Sequence, residues 1–237
     1  IGLGLLVVTG LFLFTGQFLL LFFAYRAGMP PGLASITQQM HVFFTVALAA
    51  LLLRERPGMR QALGMAIAFV GLLAIGLTVG GDLPQTALML ALAGALSWAI
   101  GNLLLKRIGQ VPVLPLMAWL SLVPPLPALV LSLALGDAPS LPTAIIHASA
   151  IGLFSALYLG AAATILGYGI WSRLLTRYPT AIVAPFVLLA PITGVIASAV
   201  VFGERFAALR YAGMALIFLG LATVLHRRRK GAEGAEE

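Results

Sequence analysis

PPGLASITQQMHVFFTVALAALLLRERPGMRQALGMAIAFVGL, residues 30–72, returns near the end of the chain as PTAIVAPFVLLAPITGVIASAVVFGERFAALRYAGMALIFLGL, residues 179–221, at a constant shift of 149 positions and without a gap. On that register Pro30 meets Pro179, Ala50 meets Ala199, Glu55-Arg56 meets Glu204-Arg205, Gly64-Met65-Ala66 meets Gly213-Met214-Ala215, and Gly71-Leu72 meets Gly220-Leu221. Each copy reads as two apolar stretches joined at the Glu-Arg pair, so the repeated unit is a helix hairpin. Duplicated helix pairs in apolar chains belong to repeat-built membrane folds.

The 237 residues are 61% hydrophobic and 9% charged, with a mean hydropathy of +1.09 and no cysteine. Water cannot be the solvent for that much apolar surface, so the predicted class is an all-α integral membrane bundle. A hydrocarbon slab about 30 Å thick asks for about 20 apolar residues per helix. Eight stretches qualify: 3–25, 33–53, 60–80, 84–105, 113–135, 146–172, 181–202 and 207–226. The sixth is longer than a span requires and is expected to tilt or to begin at the interface. Lack of cysteine rules out a disulfide framework or a thiolate metal site, and no metal or cofactor is expected. The net charge of +7 gathers at helix ends and in His226-Arg227-Arg228-Arg229-Lys230. That placement suits anionic lipid heads and not nucleic acid, which would want a basic face with stacking aromatics.

Eight spans put both chain ends on one side. Eleven of the 14 Lys and Arg residues fall on that side, and Arg26, Arg205 and Arg210 lie opposite. The positive-inside rule therefore predicts both ends in the cytoplasm. Spans two and three match spans seven and eight, a displacement of five. Five is odd, so the copies are expected to cross in opposite directions, as an inverted repeat. Spans four and five then want partners ahead of span one. The expectation is a ten-helix protein of two five-helix halves, with two helices preceding Ile1. On this division residues 1–80 are part of the first repeat, 81–226 are the second, and 227–237 form a basic then acidic tail. Pro124, Pro125 and Pro127 in span five, and Pro185 and Pro191 in span seven, each remove an intrahelical bond. Kinks at Pro185 and Pro191 are candidates for lining a path, with plain packing bends as the alternative. Gly64 and Gly71, like Gly213 and Gly220, recur at seven residues and predict close helix contact.

The seven carboxylates all lie in turns or the tail. A carboxylate relay inside the membrane is thus not expected from these residues, nor is an enzyme with paired acids on a metal. The intramembrane polar groups are neutral. Gln38, His41 and Thr45 share a face of span two, with Ser35 and Gln39 as a neighbouring row. His41 lies about 8 residues into its span, roughly 12 Å deep. Polar groups at that depth cost about 2 kcal/mol or more each if they face lipid, so this face must look inward. It reads either as a substrate-binding wall, its amides suited to a zwitterion, or as interhelical hydrogen bonding that holds the bundle. For His41 a neutral hydrogen-bonding imidazole is the default and a proton carrier the alternative. Trp98 and Asn102 stand one turn apart on span four, Thr164, Tyr168 and Trp171 follow at i, i+4 and i+7 on span six, and Thr15 and Gln17 are polar at mid-depth on span one. Thr15 meets Thr164 on the 149 register. Tyr168 is the cavity candidate of its row, and Trp171 is expected to be an interfacial anchor. The two Glu-Arg joints read as a gate or latch at each face, or as capped turns with a surface ion pair worth at most about 1 kcal/mol.

The order of these motifs resembles the EamA-type transporters of the drug/metabolite transporter superfamily. The resemblance rests on Gly28-Met29-Pro30-Pro31-Gly32-Leu33-Ala34-Ser35, Phe43-Phe44-Thr45, the Arg-Glu-Arg turn with Gly64-Met65-Ala66, Ser97-Trp98-Ala99-Ile100-Gly101-Asn102, Gly167-Tyr168-Gly169-Ile170-Trp171, and Gly203-Glu204-Arg205. It covers the chain up to the basic tail. It implies ten helices in two inverted repeats and efflux of amino acids or related metabolites, the subgroup to which the chain is most similar. The predicted function is therefore secondary transport of a small polar or amphipathic metabolite by alternating access. The alternatives are an integral membrane enzyme acting on lipid-linked substrates and a non-transporting membrane scaffold. His41, His147 and His226 are scattered and offer no convergent catalytic set. The sequence leaves the oligomeric state open.

Overall fold

The computed structural model describes residues 2–54, 57–78, 83–109, 111–135, 143, 146–167, 170, 173–174, 177 and 189–225. Among these, every regular element is a helix. Five helices are long and apolar enough to span a membrane: α1 (Leu3–Arg26), α2 (Pro31–Leu52), α3 (Met59–Gly76), α4 (Gln85–Ile108) and α5, which runs from Val113 with Pro115–Ala134 as its apolar span. Three more apolar helices have shorter described extents: α6 (Ala150–Leu157 continuing through Tyr158–Leu166), α7 (Leu189–Phe202) and α8 (Ala208–Leu225). The chain is an integral, helical membrane protein.

Local chemistry sets the starts and breaks. Pro30 and Pro31 open α2, where a missing N–H costs nothing and φ is preset. Ser149 caps α6, its Oγ accepting from the Gly152 N–H at 3.0 Å. The proline cluster interrupts α5 between Ser121 and Pro125, and i→i−3 bonds from Leu122 to Trp119 and from Val123 to Leu120 tighten the chain there. Three further irregularities have no proline at their centre. Residues Leu11–Gly16 of α1 and Tyr158–Leu166 of α6 are π-helical. In α2 the helix stops at Thr37 and resumes at Met40, with i→i−3 bonds from Gln39 to Ile36, His41 to Gln38 and Val42 to Gln39.

α4 is the hub. Its small residues Ala87, Ala91, Gly94, Ala95, Ala99 and Gly101 are buried, and they let α1 and the second half of α2 lie close against it. A Cβ on Gly101 would sit 2.8 Å from the Leu13 backbone, and one on Gly94 would sit 3.2 Å from the Gln17 carbonyl. The first half of α2, Pro31–Thr37, packs instead on α7. Helices α3 and α8 form the most extensive pair and touch backbone to backbone. Cβ atoms on Gly64 and Gly71 would come within 2.7 and 2.6 Å of the Gly220 and Gly213 carbonyls. Gly64 thus faces Gly220 while Gly71 faces Gly213, so the two helices run antiparallel.

The ends sort into two faces. At one face the start of α2 meets the α7–α8 turn, and the end of α3 meets the start of α8 through Arg210, which donates to Thr78 Oγ1 at 2.8 Å. Pro84, at the start of α4, lies beside Gly28 on this same face. The turn after Leu52 lies at the far end of α2, 22 residues or about 33 Å away. In both turns the residue before the Glu-Arg pair is left-handed, Gly203 at φ +66 and Arg54 at φ +54.

Candidate functional site

At mid-depth three helices bring their polar groups together. The break in α2 places Gln38, Gln39 and His41 where the chain has left regular i→i−4 bonding. Gln38 Nε2 donates to the Ala91 carbonyl of α4 at 3.2 Å, and Gln17 Nε2 of α1 reaches Gln38 Oε1 at 3.5 Å. His41 Nδ1 lies 2.7 Å from the Gln38 carbonyl. A carbonyl can only accept, so Nδ1 carries the proton and Nε2 is the ring's other position. The imidazole meets Trp98 edge-on at 5.8 Å, and Trp98 in turn meets Phe14 at 6.4 Å. One turn further along, Thr45 Oγ1 donates to the His41 carbonyl at 2.7 Å and accepts from Asn102 Nδ2 at 3.2 Å.

Most of the side chains proposed from sequence on α1, α2 and α4 therefore form one string, Gln17–Gln38–His41–Trp98 with Thr45–Asn102 below, and Thr15 and Gln39 stand outside it. Gln38, His41, Thr45, Trp98 and Asn102 are half-buried, and Gln17 is buried. Gln39 is half-buried at the break and makes no side-chain hydrogen bond to the described residues. Two buried oxygens, Thr15 Oγ1 and Gln17 Oε1, have no hydrogen-bond partner among the described residues. A buried acceptor without a partner costs about 1–3 kcal/mol. Among the described residues no group of carboxylates, histidines or thiols could hold a metal.

Some expectations lie elsewhere. Thr164 falls within the π-helical part of α6. Tyr168, Trp171 and Pro185 lie outside the described residues. Pro191 is buried in α7, and its carbonyl lies 3.5 Å from Ser35 Oγ. Glu204, whose joint reads from sequence as a latch or as a capped turn with an ion pair, has a distant partner. Its carboxylate accepts from the Gly32 N–H at 3.0 Å, across 172 positions of sequence. Ser97, the first residue of the Ser97–Asn102 motif, has a defined partner. It donates to the Phe12 carbonyl at 2.7 Å, inside the π-helical segment where carbonyls are freed. Beside this contact a largely apolar groove of about 410 Å³ opens between α1 and α4, lined by Leu11, Phe12, Gly16, Leu20, Leu96 and Ser97 among others.

A polar string of neutral groups, buried within apolar helices and lacking acid–base or metal-binding sets, suits recognition of a passing solute. The comparisons agree on that class. The model of the EamA-like transporter family matches residues 1–77 and 85–226, and the chain belongs to that family. It is 42% identical to a protein of Salmonella typhimurium named a probable amino-acid metabolite efflux pump, over 92% of this chain and 75% of the relative. A protein of the same name from Escherichia coli is 38% identical over the same shares. An uncharacterized transporter of Bacillus subtilis, YetK, is 28% identical over 97% of this chain and 69% of that relative. No solved structure matches the chain. The protein is a transporter and not an enzyme.

Proposed function

We propose that the chain exports amino acids or related small polar or amphipathic metabolites by alternating access between two inverted repeats. Residues 1–80 belong to the first repeat and 81–226 to the second. Both chain ends face the cytoplasm of the bacterial inner membrane, and the basic run at 226–230 meets anionic lipid heads there.

The observation that carries the reading is the neutral polar string at the break in α2. Amides present donors to a carboxylate and acceptors to an ammonium, so Gln17 and Gln38 suit a zwitterion without placing a charge in the membrane. Trp98 supplies an apolar wall, and Thr15, Gln39, Asn102, Thr164 and Tyr168 complete the candidate lining. The names of the two enteric relatives support the substrate class.

Support for the flip comes from three features related by 149 positions. Arg54 and Gly203 share a left-handed backbone. The π-helical segment 11–16 maps inside its counterpart 158–166. The glycines pair reciprocally, Gly64 with the mate of Gly71 and Gly71 with the mate of Gly64, the pattern of a two-fold axis. The test is uptake of labelled amino acids into inside-out vesicles carrying the full-length protein. Gradient-dependent accumulation of at least one is expected, and its absence across a broad panel would overturn the reading.

A further inference from the structure

The Glu204 carboxylate and the two-part build of α2 together mark a moving element. Pro31–Thr37 packs on α7, whereas Met40–Leu52 packs mainly on α4. The two halves thus have different partners, and between them lies the stretch of i→i−3 bonds at Gln38–Val42. No proline or glycine lies there. The His41 ring nitrogen takes up the Gln38 carbonyl, and such side-chain competition loosens a helix without breaking it.

The contact of the first half with α7 is small-residue and polar. The Gly32 N–H is shared by Ser198 Oγ at 2.9 Å and Glu204 Oε2 at 3.0 Å. Ser35 Oγ donates to the Gly32 carbonyl at 2.7 Å, and a Cβ on Gly194 would lie 2.7 Å from the Ser35 Cβ. A Cβ on Gly32 would lie 2.8 Å from Glu204 Oε2, so only glycine lets the carboxylate reach this amide. Gly203, left-handed at φ +66, turns the chain so that Glu204 can do so. Ser198 is buried, at 3% exposed, and Glu204 half-buried, and the contact has few side chains to disentangle when it opens. A carboxylate against the first turn of a helix also gains from the positive end of the helix dipole.

We propose that Glu204 is a gate residue. Its carboxylate latches the first half of α2 to the α7–α8 turn and closes the transport path on that face. When the latch releases, the half-helix swings about the Gln38–Gln39 break. The substrate-facing side chains stand at that break, so occupancy of the site and closure of the gate act on one hinge. The proposal rests on the alternating-access reading above, and its test is separable from it.

These 237 residues hold no cysteine, so Ser35→Cys adds a single reporter among them just beneath the latch, in a full-length protein with any preceding cysteine replaced. Its alkylation by a membrane-impermeant maleimide is followed in sealed vesicles of known orientation, with reagent added on the Glu204 face. Loss of a charge-assisted hydrogen bond predicts labelling about fivefold to tenfold faster in Glu204→Gln. Glu204→Asp should stay near the parent, and Ser198→Ala, which keeps the carboxylate, should fall between. The Gln variant is also expected to lose transport rate more than apparent affinity. Equal labelling rates in parent and Glu204→Gln would overturn the gate, whatever the transport assay gives. If Glu204→Gln does not fold, the Ser198→Ala rate decides the matter in the same way. Faster labelling in a protein that moves no metabolite would leave the latch standing and sink the transport reading.

Discussion

The two copies of the hairpin share a frame and differ in content. In both, a left-handed residue precedes the Glu-Arg joint, and in both the second helix carries glycines seven residues apart that meet the other copy. The first helices diverge. Gln38, Gln39, His41 and Thr45 of α2 stand where the second copy has Val187, Leu188, Ala190 and Gly194. Duplication supplied the scaffold, and only one copy of this helix kept or gained the polar groups. Gly194 shows what the other gained: with no side chain it lets Ser35 of α2 pack tightly against α7. On the reading proposed above, one copy would make the recognition surface and the other the surface against which its neighbour closes.

Three experiments bear on that contrast. The largest effect is expected where the copies are equivalent. Gly213→Val would drive Cβ to within 2.7 Å of the Gly71 carbonyl, a backbone atom that cannot step aside. Overpacking of this kind costs about 3 kcal/mol, or roughly 10 °C in Tm, read by thermal unfolding in detergent. Gly58→Ala, which meets nothing within 4 Å, is the control. An unchanged Tm for Gly213→Val would mean that the backbone contact does not hold α3 to α8.

Next comes the polar row. Gln38→Ala removes the bonds to Ala91 and Gln17 and should raise the apparent KM for export roughly tenfold, with folding retained. A drop in Tm with normal transport by the protein that remains would instead assign Gln38 to holding the bundle together. The smallest effect tests the turns. Arg54→Gly should raise stability by about 1 kcal/mol, because only glycine adopts this backbone freely, and Gly203→Ala should lower it by a similar amount. Opposite signs in calorimetry are the expected result. Equal signs would show that the two turns are not equivalent in their backbone needs.

Much of this was legible in the sequence because apolar length and repetition are local properties. The five helices long and apolar enough to span fall within a few residues of their expected bounds, and the proline cluster breaks α5 as its chemistry dictates. The inward polar face of α2 was legible too, since lipid tolerates no other orientation. The break at Gln38–Gln39 was not. Nothing at 36–42 is a helix breaker, and the turn depends on how the His41 ring meets its own backbone while both halves of α2 are held by different neighbours. The π-helical segments escaped for a similar reason: Leu11-Phe12-Leu13-Phe14-Thr15-Gly16 carries no local signal, and the freed Phe12 carbonyl finds Ser97 only in the folded state. For Glu204 the sequence offers both a latch and a capped turn without choosing between them. The carboxylate's bond to Gly32 joins residues 172 positions apart, and such a pairing leaves no trace in spacing.

Arg54 carries one more consequence. An arginine in a glycine's backbone conformation is strained by about 1–2 kcal/mol. Its turn holds Arg54, Arg56 and Arg60 where the copy holds Gly203, Arg205 and Leu209. During biosynthesis the insertion machinery reads basic loops as the ones to retain. Two identical hairpins would send that machinery identical instructions, so copies that cross in opposite directions, as proposed above, would need different loops. The extra charges of Arg54 and Arg60 would mark one turn for retention, with the backbone strain at Arg54 as the cost in stability.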